Sequence, residues 1–255
     1  MNRPPPTVVV MADEPVVAAA AAARLLTRLS DAQAQHGVAS VVLTGGGIGI
    51  ATLTAVRTSP ARSAVDWRRV DVWWGDERWV PASSADRNDR MAGEALLDHL
   101  DLDPARVHPI AASDGPCSTP EAAAQAYADE LAAVAPPGDD VPPFDVLLLG
   151  MGPEGHTASI FPEQPAAYSE QTVVAVHGCP KPPPTRVSLG FAALAAAREV
   201  WFLVTGQPKA TAVALALSGA GRVQVPAAGP SGHLQTLWLL DEAAASALPH
   251  DLRRR

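Results

Sequence analysis

The sequence predicts an α/β protein built on one mostly parallel sheet with helices on both faces. Apolar, β-branched runs alternate along the chain with Ala- and Leu-rich stretches of helical character, which is the pattern of a parallel sheet. The strand candidates are almost uninterruptedly apolar, as expected where both faces of a strand are buried. No internal repeat or low-complexity linker divides the 255 residues, so we expect one domain over residues 1–255.

The elements follow from short apolar runs and from helix start and stop signals. Strands are expected at Val8–Met11, Val38–Leu43, Val70–Trp74, Phe144–Leu149, Val173–Val176, Arg186–Leu189, Val200–Val204 and Leu237–Leu239. Helices are expected at Glu14–Gln35, after the glycines at 45–47 through Ala55, and at Asn88–Leu100, Thr119–Val134, Phe191–Ala197 and Lys209–Leu217. Asp13 is a typical N-cap for the first helix and Gly37 a typical stop. The tail Arg253–Arg255 is expected to be frayed.

Composition excludes several classes of function. The chain has 27 Asp and Glu against 19 Lys and Arg, a formal net charge of -8, which argues against nucleic-acid binding through phosphate neutralisation. Cys117 and Cys179 are far apart and without metal-ligand spacing, so neither a disulfide framework nor a zinc cluster is expected. The apolar run Val16–Ala23 stops at Arg24, short of the ~20 residues of a membrane span. We expect a soluble, cytoplasmic protein.

Ligands of parallel sheets bind at the carboxyl ends of the strands. The first candidate binding loop at these ends is glycine-rich. Backbone N–H groups of Gly45, Gly46 and Gly47 are able to approach an anion or an oxyanion at the start of a helix. A dinucleotide fingerprint fails, because Ile50 or Thr52 stands where Gly or Ala is required,. A tight structural turn remains the alternative.

The second loop follows the strand Val70–Trp74 and is polar. It holds Asp76, Glu77 and Arg78, with Asn88 a little further on. An arginine fork suits a phosphate, because its parallel N–H groups match two oxygens. A surface salt-bridge cluster is the alternative, although two neighbouring tryptophans favour a partly buried site.

The third loop, residues 150–162, joins a buried strand to a histidine through glycines. We expect His156 to open a short helix, whose N-terminus would keep the imidazole neutral and able to accept a proton. Arg186 before a strand and Lys209 before a helix are further candidates for an anion site. Ser159 is not in a Gly-x-Ser-x-Gly nucleophile elbow,.

Taken together, these motifs resemble the 6-phosphogluconolactonase family of the sugar-phosphate isomerase/deaminase superfamily. The motifs are Thr44–Gly47, Trp74–Pro81, Asn88, Phe144–Pro162, Pro182–Leu189 and Gly206–Ala210. They cover nearly the whole chain in the family's order, and the long motif around His156 is the most specific.

The resemblance implies a Rossmann-like fold and hydrolysis of 6-phosphogluconolactone to 6-phosphogluconate in the oxidative pentose phosphate pathway. It implies His156 as the base, Arg78, Arg186 and Lys209 as phosphate ligands, and no metal or organic cofactor. The remaining site candidates are Gly45, Gly46, Gly47, Asn88 and Gly152 for substrate, and Asp76 and Glu154 for sugar hydroxyls or for orienting His156. The partner is a phosphorylated sugar lactone, and both monomer and homodimer stay open.

The implied mechanism is attack of a water on C1, with His156 as base and then as acid toward the ring oxygen, and with N–H groups at 45–47 holding the oxyanion. Thr44–Gly49 differs from the Ser-Gly-Gly-Ser-Thr-Pro of many members, so backbone groups replace hydroxyls there. Two alternatives stay open: a glucosamine-6-phosphate deaminase or isomerase, and a non-catalytic sugar-phosphate-binding protein. The deaminases carry an Asn-Glu pair where this chain has Ser159–Pro162.

Overall fold

The computed structural model describes residues 3–250 and 252, so the expected fraying of Arg253–Arg255 lies outside the described part. The strands are β1 (Thr7–Met11), β2 (Ala39–Leu43), β3 (Val70–Trp74), β4 (Asp76–Arg78), β5 (Val107–His108), β6 (Val146–Gly150), β7 (Val173–Val176), β8 (Arg186–Leu189), β9 (Glu199–Val204) and β10 (Gln235–Asp241). The α-helices are α1 (Glu14–His36), α2 (Gly47–Thr58), α3 (Asn88–Ala95), α4 (Pro120–Val134), α5 (Pro165–Tyr168), α6 (Phe191–Leu194) and α7 (Ala210–Leu217).

Seven strands form the main sheet in the order β1-β10-β9-β6-β2-β3-β5, and every neighbouring pair is parallel. This confirms the expected mostly parallel α/β fold. From β2 the chain adds β3 and β5 on one side, whereas β6, β9 and β10 are added on the other. The direction of winding therefore reverses between β2 and β6, and such a reversal opens a crevice at the carboxyl ends of the strands.

The first helix shows how local sequence produces the covering layers. Asp13 Oδ1 accepts a hydrogen bond from the N–H of Val16 at 3.0 Å, and Gly37 ends the helix with φ +81°, a conformation that costs glycine little. Both end signals are confirmed. The buried stripe consists of Val17, Ala18, Ala21, Ala22, Leu25, Leu26, Leu29 and Ala32. Their helical spacing turns one face of α1 to the sheet.

A second, antiparallel sheet was not expected. Its strand order is β4-β8-β7, so the segment expected as a polar loop after Trp74 contains a strand, β4. Gly75 joins the two sheets, since its N–H donates to Leu43 O at 3.0 Å and its C=O accepts from Leu189 N at 2.9 Å. Hydrophobic periodicity misses β4 because its side chains are polar. Asp76, for example, is buried and has its hydrogen bonds satisfied within the protein.

Several expected helices have different bounds in the structure, and α2 runs to Thr58 instead of ending at Ala55. The helix from Asn88 ends at Ala95 instead of Leu100, because Leu96 leaves the helical region at φ −148° and a 3₁₀ turn follows. The helix over residues 191–197 ends at Leu194. Lys209 belongs to a 3₁₀ turn before α7. Among the described residues, no helix combines the length and the apolarity needed to cross a membrane.

Candidate active site

A cleft with an empty volume of about 550 Å³ opens where the winding reverses. Its lining residues are Thr44, Gly45, Gly46, Gly47, Ile48, Asp76, Arg78, Asn88, Gly150, Met151, His156, Ala158, Arg186 and Lys209. Every candidate from the sequence lines it except Gly152 and Glu154, which instead pack against the ring of His156. The topology thus brings residues from six separate segments of the chain to one place.

His156 is held from two sides. Its ring stacks on Phe161 with centroids 4.4 Å apart, and its Nδ1 lies 2.9 Å from Glu154 Oε1. Gly152 is required beneath the pair, because a Cβ there would overlap both the imidazole and the Glu154 carboxylate. The ring is fixed in orientation, while its side chain remains 16% exposed toward the cleft.

The expectation that His156 opens a helix is wrong. Thr157 and Ile160 instead close a tight turn, in which Ile160 N donates to Thr157 O at 2.9 Å, and Ala158 takes φ +48°. Helix-dipole support for a neutral imidazole is therefore absent. Glu154 sets the tautomer instead: an ionised carboxylate only accepts, so Nδ1 carries the hydrogen and Nε2 keeps its lone pair.

The charge of Glu154 is well stabilised. Burial raises its pKa, but hydrogen bonds from His156 and Lys181 outweigh that effect and lower the pKa to about 2. Lys181 Nζ lies 2.9 Å from Glu154 Oε1. Glu154 is thus an anion throughout the neutral range, and His156 and Lys181 both contact its Oε1.

Arg78 and Asn88 form one corner of the cleft. Arg78 Nη1 donates to Asn88 Oδ1 and, at 3.0 Å, to Asp86 O. Asn88 Nδ2 donates to Asp76 O at 2.8 Å, which ties α3 to β4. Gly45 lies against this corner, because a Cβ there would overlap Asn88 Oδ1.

Glu77 supports the same corner from the buried side. Its carboxylate accepts from the backbone N–H groups of Arg78 at 2.7 Å, Asn88 at 2.8 Å and Asp89 at 2.9 Å. Burial raises the pKa of Glu77 to about 7, although Arg87 and the N–H donors lower it. Glu77 therefore positions the first turn of α3 and does not reach the cleft.

Asp76 and Arg186 form the floor on the second sheet. Asp76 Oδ2 accepts from Ser159 Oγ at 2.6 Å, and Arg186 Nη1 lies 3.9 Å from Asp76 Oδ2. Arg186 pairs with Arg78 across β4 and β8. Sequence reasoning left open whether Asp76 or Glu154 contacts His156; it is Glu154 that hydrogen-bonds the imidazole.

Lys209 and the glycine turn line the same cleft. Within the described part of the chain, Lys209 Nζ makes no hydrogen bond and no ion pair within 4 Å. Burial lowers its pKa, although the charges of Glu14 and Asp241 raise it. α2 packs against β6 and β9, and Lys209 follows β9. The N-terminus of α2 has no side-chain cap, so its amides and Lys209 together offer an anion site.

Three supporting residues escaped sequence reasoning: Glu77, Ser159 and Lys181. Ser159 was considered only as a nucleophile, yet its buried hydroxyl donates a hydrogen bond to Asp76 Oδ2. Lys181 is followed by three prolines. Prolines restrict the backbone, so this segment could have suggested a lysine held in a fixed position. Within residues 3–250 and 252, no group of three or more His, Cys, Asp or Glu side chains could hold a metal ion.

Comparison with known proteins defines the class. The chain belongs to the family described as glucosamine-6-phosphate isomerases/6-phosphogluconolactonase, whose model matches residues 12–238. It is 59% identical to a 6-phosphogluconolactonase of Streptomyces coelicolor over 233 residues, which are 90% of this chain and 89% of that protein. Among solved structures it resembles the 6-phosphogluconolactonase from Trypanosoma brucei, with TM-score 0.83, 31% identity, and coverage of 96% and 99%.

A monomeric glucosamine-6-phosphate deaminase shares the fold with TM-score 0.76, over 94% of this chain and 99% of that one, at 20% identity. At that identity the likeness concerns the fold alone. The two relatives named above, at 59% and 31% identity, are both 6-phosphogluconolactonases.

Proposed function

We propose that this chain hydrolyses 6-phosphogluconolactone to 6-phosphogluconate, the lactonase step of the oxidative pentose phosphate pathway. One observation carries the proposal: Glu154 engages Nδ1 of His156 at 2.9 Å, so the basic Nε2 is free beside a cleft lined by Arg78, Arg186 and Lys209. A lactone is an activated ester, so a base, a water and a positively charged binding cleft are sufficient for its hydrolysis. The identity to named lactonases supports the same choice.

The reaction begins when His156 Nε2 takes a proton from a water whose oxygen attacks C1. A tetrahedral adduct forms, and negative charge grows on the former carbonyl oxygen. The bond between C1 and the ring oxygen then breaks, and the imidazolium gives its proton to the ring oxygen. Base catalysis of this kind contributes about 10²–10⁴-fold. The cations of the cleft stabilise the negative charge as it develops.

The substrate phosphate is assigned to Lys209, Arg186 and the N-terminus of α2. Lys209 has donors free, and the uncapped amides of a 12-residue helix favour a dianion,. This replaces the oxyanion role that the sequence suggested for the glycine turn. Arg78 and Asn88 then face the sugar hydroxyls. Binding energy from the distant phosphate fixes the orientation of C1.

The test is a coupled assay of lactone hydrolysis, with the spontaneous rate subtracted, for the wild type and for His156→Ala. We expect kcat/KM to fall about 10²–10⁴-fold. Turnover close to that of the wild type would reject His156 as the base. Binding of phosphosugar without turnover by the wild type would favour a non-catalytic protein.

The deaminase alternative lacks the Asn-Glu pair that its members carry after the histidine, because Ser159–Pro162 stands there. The segment after His156 places Phe161 against the imidazole and Ser159 against Asp76, and neither side chain moves a proton at C2. We therefore expect no ammonia from glucosamine 6-phosphate. Ammonia release at a rate above that of lactone hydrolysis would reverse this order.

A further inference from the structure

Lys181 is a cation that lies beside the hydrogen-bonded pair of Glu154 and His156, called the dyad below. It lies on the turn between β7 and β8, and its Nζ contacts both oxygens of Glu154, at 2.9 Å and 3.0 Å. The side chain is 43% exposed, and another exposed pair, Arg222 with Glu170, is as close at 2.9 Å. Exposed pairs commonly contribute little to stability, so the distance alone does not distinguish Lys181. Its partner does, because Glu154 is the carboxylate that hydrogen-bonds the imidazole of His156.

The backbone of Lys181 is also fixed. Arg186 Nη2 donates to Lys181 O at 3.0 Å, and Arg186 Nε donates to Pro183 O at 3.2 Å. The residue thus connects the floor arginine, through its carbonyl, with the Glu154–His156 pair, through its ammonium group. Such a doubly anchored position is what a group needs in order to hold a neighbour in one rotamer.

We infer that Lys181 is a positioning residue that holds Glu154 and balances its charge, so that His156 begins the reaction as a neutral base. An unbalanced carboxylate beside an imidazole favours the imidazolium, which has no lone pair for the water. The structure has no helix at His156 whose N-terminus would disfavour the imidazolium. The charge of Lys181 on Glu154 opposes the imidazolium instead. The inference rests on the proposed lactonase mechanism and adds a residue to it.

The other charged groups around the dyad are accounted for. Arg186 stands 5.9 Å from the ring of Phe161, on which His156 stacks. The remaining charged residues that line the cleft are Asp76, Arg78 and Lys209. Burial and the charge of Lys181 lower the pKa of Lys209, although Glu14 and Asp241 raise it. We expect these groups to keep their positions when Lys181 alone is replaced, because among the described residues its ammonium group bonds only Glu154.

The first test compares kcat/KM from pH 5.5 to 8 in wild type, Lys181→Met, Lys181→Arg and Arg68→Met. Arg68 is the matched control, an exposed cation paired with Asp101 at 3.3 Å before the amino end of β3. We expect Lys181→Met to move the acid limb of the profile up by about 0.5–1 pH unit. Lys181→Arg restores the wild-type limb, and Arg68→Met leaves it unchanged.

A double variant shows whether Lys181 acts through Glu154. In the Glu154→Gln background, Lys181→Met should shift the limb by less than about 0.2 unit, because the charge it balances is gone. An equal loss of kcat/KM at every pH, or a rise in KM alone, would overturn the inference. The first outcome indicates a structural role, and the second a direct phosphate contact.

A second readout needs no turnover. The ring Cε1–H resonance of His156 in the free protein should titrate with a higher midpoint in Lys181→Met than in the wild type. An unchanged midpoint overturns the inference even if lactone hydrolysis is established. Conversely, an inactive wild type with a shifted midpoint would refute the proposed function and keep the charge balance.

Discussion

The two sides of the cleft are built in different ways. On the sheet side, Asp76 and Arg186 are 7% and 5% exposed, and their polar atoms are engaged by Ser159 and by backbone carbonyls. On the loop side, no hydrogen bond among the described residues engages His156 Nε2 or Lys209 Nζ, and both side chains line the cleft. Buried polar groups must be satisfied by the protein itself, so the sheet side mainly fixes the shape of the cleft and leaves only the remaining N–H groups of Arg186 for the phosphate. The loop side has most of the donors and lone pairs available for substrate.

The largest effect expected from this contrast is at Lys209. Replacing Lys209 by Met removes a free cation on the loop side, so KM for the lactone should rise about 10–100-fold, with kcat changed little. Lys209→Arg is the control that retains the charge. Steady-state kinetics measure both constants. A KM of Lys209→Met within about twofold of the wild-type value would show that Lys209 does not bind the phosphate.

The glycine turn also lines the cleft, and a pair of alanine variants tests how closely it packs. At Gly45 an added Cβ overlaps Asn88, whereas at Gly47 it meets no atom within 4 Å. Gly45→Ala should lower kcat/KM about 10-fold or more by displacing Asn88 and Arg78. Gly47→Ala is the matched control, with a smaller loss. Equal losses in both variants would contradict the close packing described here.

The pH dependence of kcat/KM separates the effect of Glu154 on His156 from the titration of Glu154 itself. Because its pKa is depressed to about 2, the stabilising contribution of Glu154 is present above about pH 4.5 and lost only as the pH falls through 2. Any effect of Glu154 on the acid limb of kcat/KM between pH 5 and 8 is therefore exerted on the proposed base and does not come from its own titration. Glu77, whose pKa burial raises to about 7, titrates in the same range whether or not Glu154 is replaced.

Replacing Glu154 by Gln removes the anion beside the imidazole and should move that limb to lower pH by about 0.5–1 unit. A limb that moves upward would contradict the assignment. This direction is opposite to the one expected for Lys181→Met, so the two variants serve as controls for each other.

The smallest effect on activity is expected at Ser159. Its hydroxyl is used by Asp76 at 2.6 Å, so Ser159→Ala should lower the free energy of unfolding by about 1–3 kcal/mol. The change in kcat should stay within a few-fold. Urea unfolding and steady-state assays measure the two quantities. A loss of about 10⁴-fold in kcat would instead indicate a serine nucleophile.

The same contrast explains what could be predicted from sequence. The parallel sheet followed from apolar strands such as β6, and the residues of the loop side were visible in motifs, as His156 was. β4 was not visible, because a buried polar strand has no hydrophobic period and depends on partners far along the chain. The role of Lys181 depends equally on a distant carboxylate, and the false helix at His156 came from reading a tight turn as a helix start.

One structure would test the central claim most directly: a crystal of the wild-type protein soaked with the product, 6-phosphogluconate. We expect the phosphate against Lys209 Nζ, Arg186 and the first amides of α2, and the C1 carboxylate within hydrogen-bonding distance of His156 Nε2. A product bound in the opposite direction, or a His156 ring that makes no contact with C1, would contradict the account.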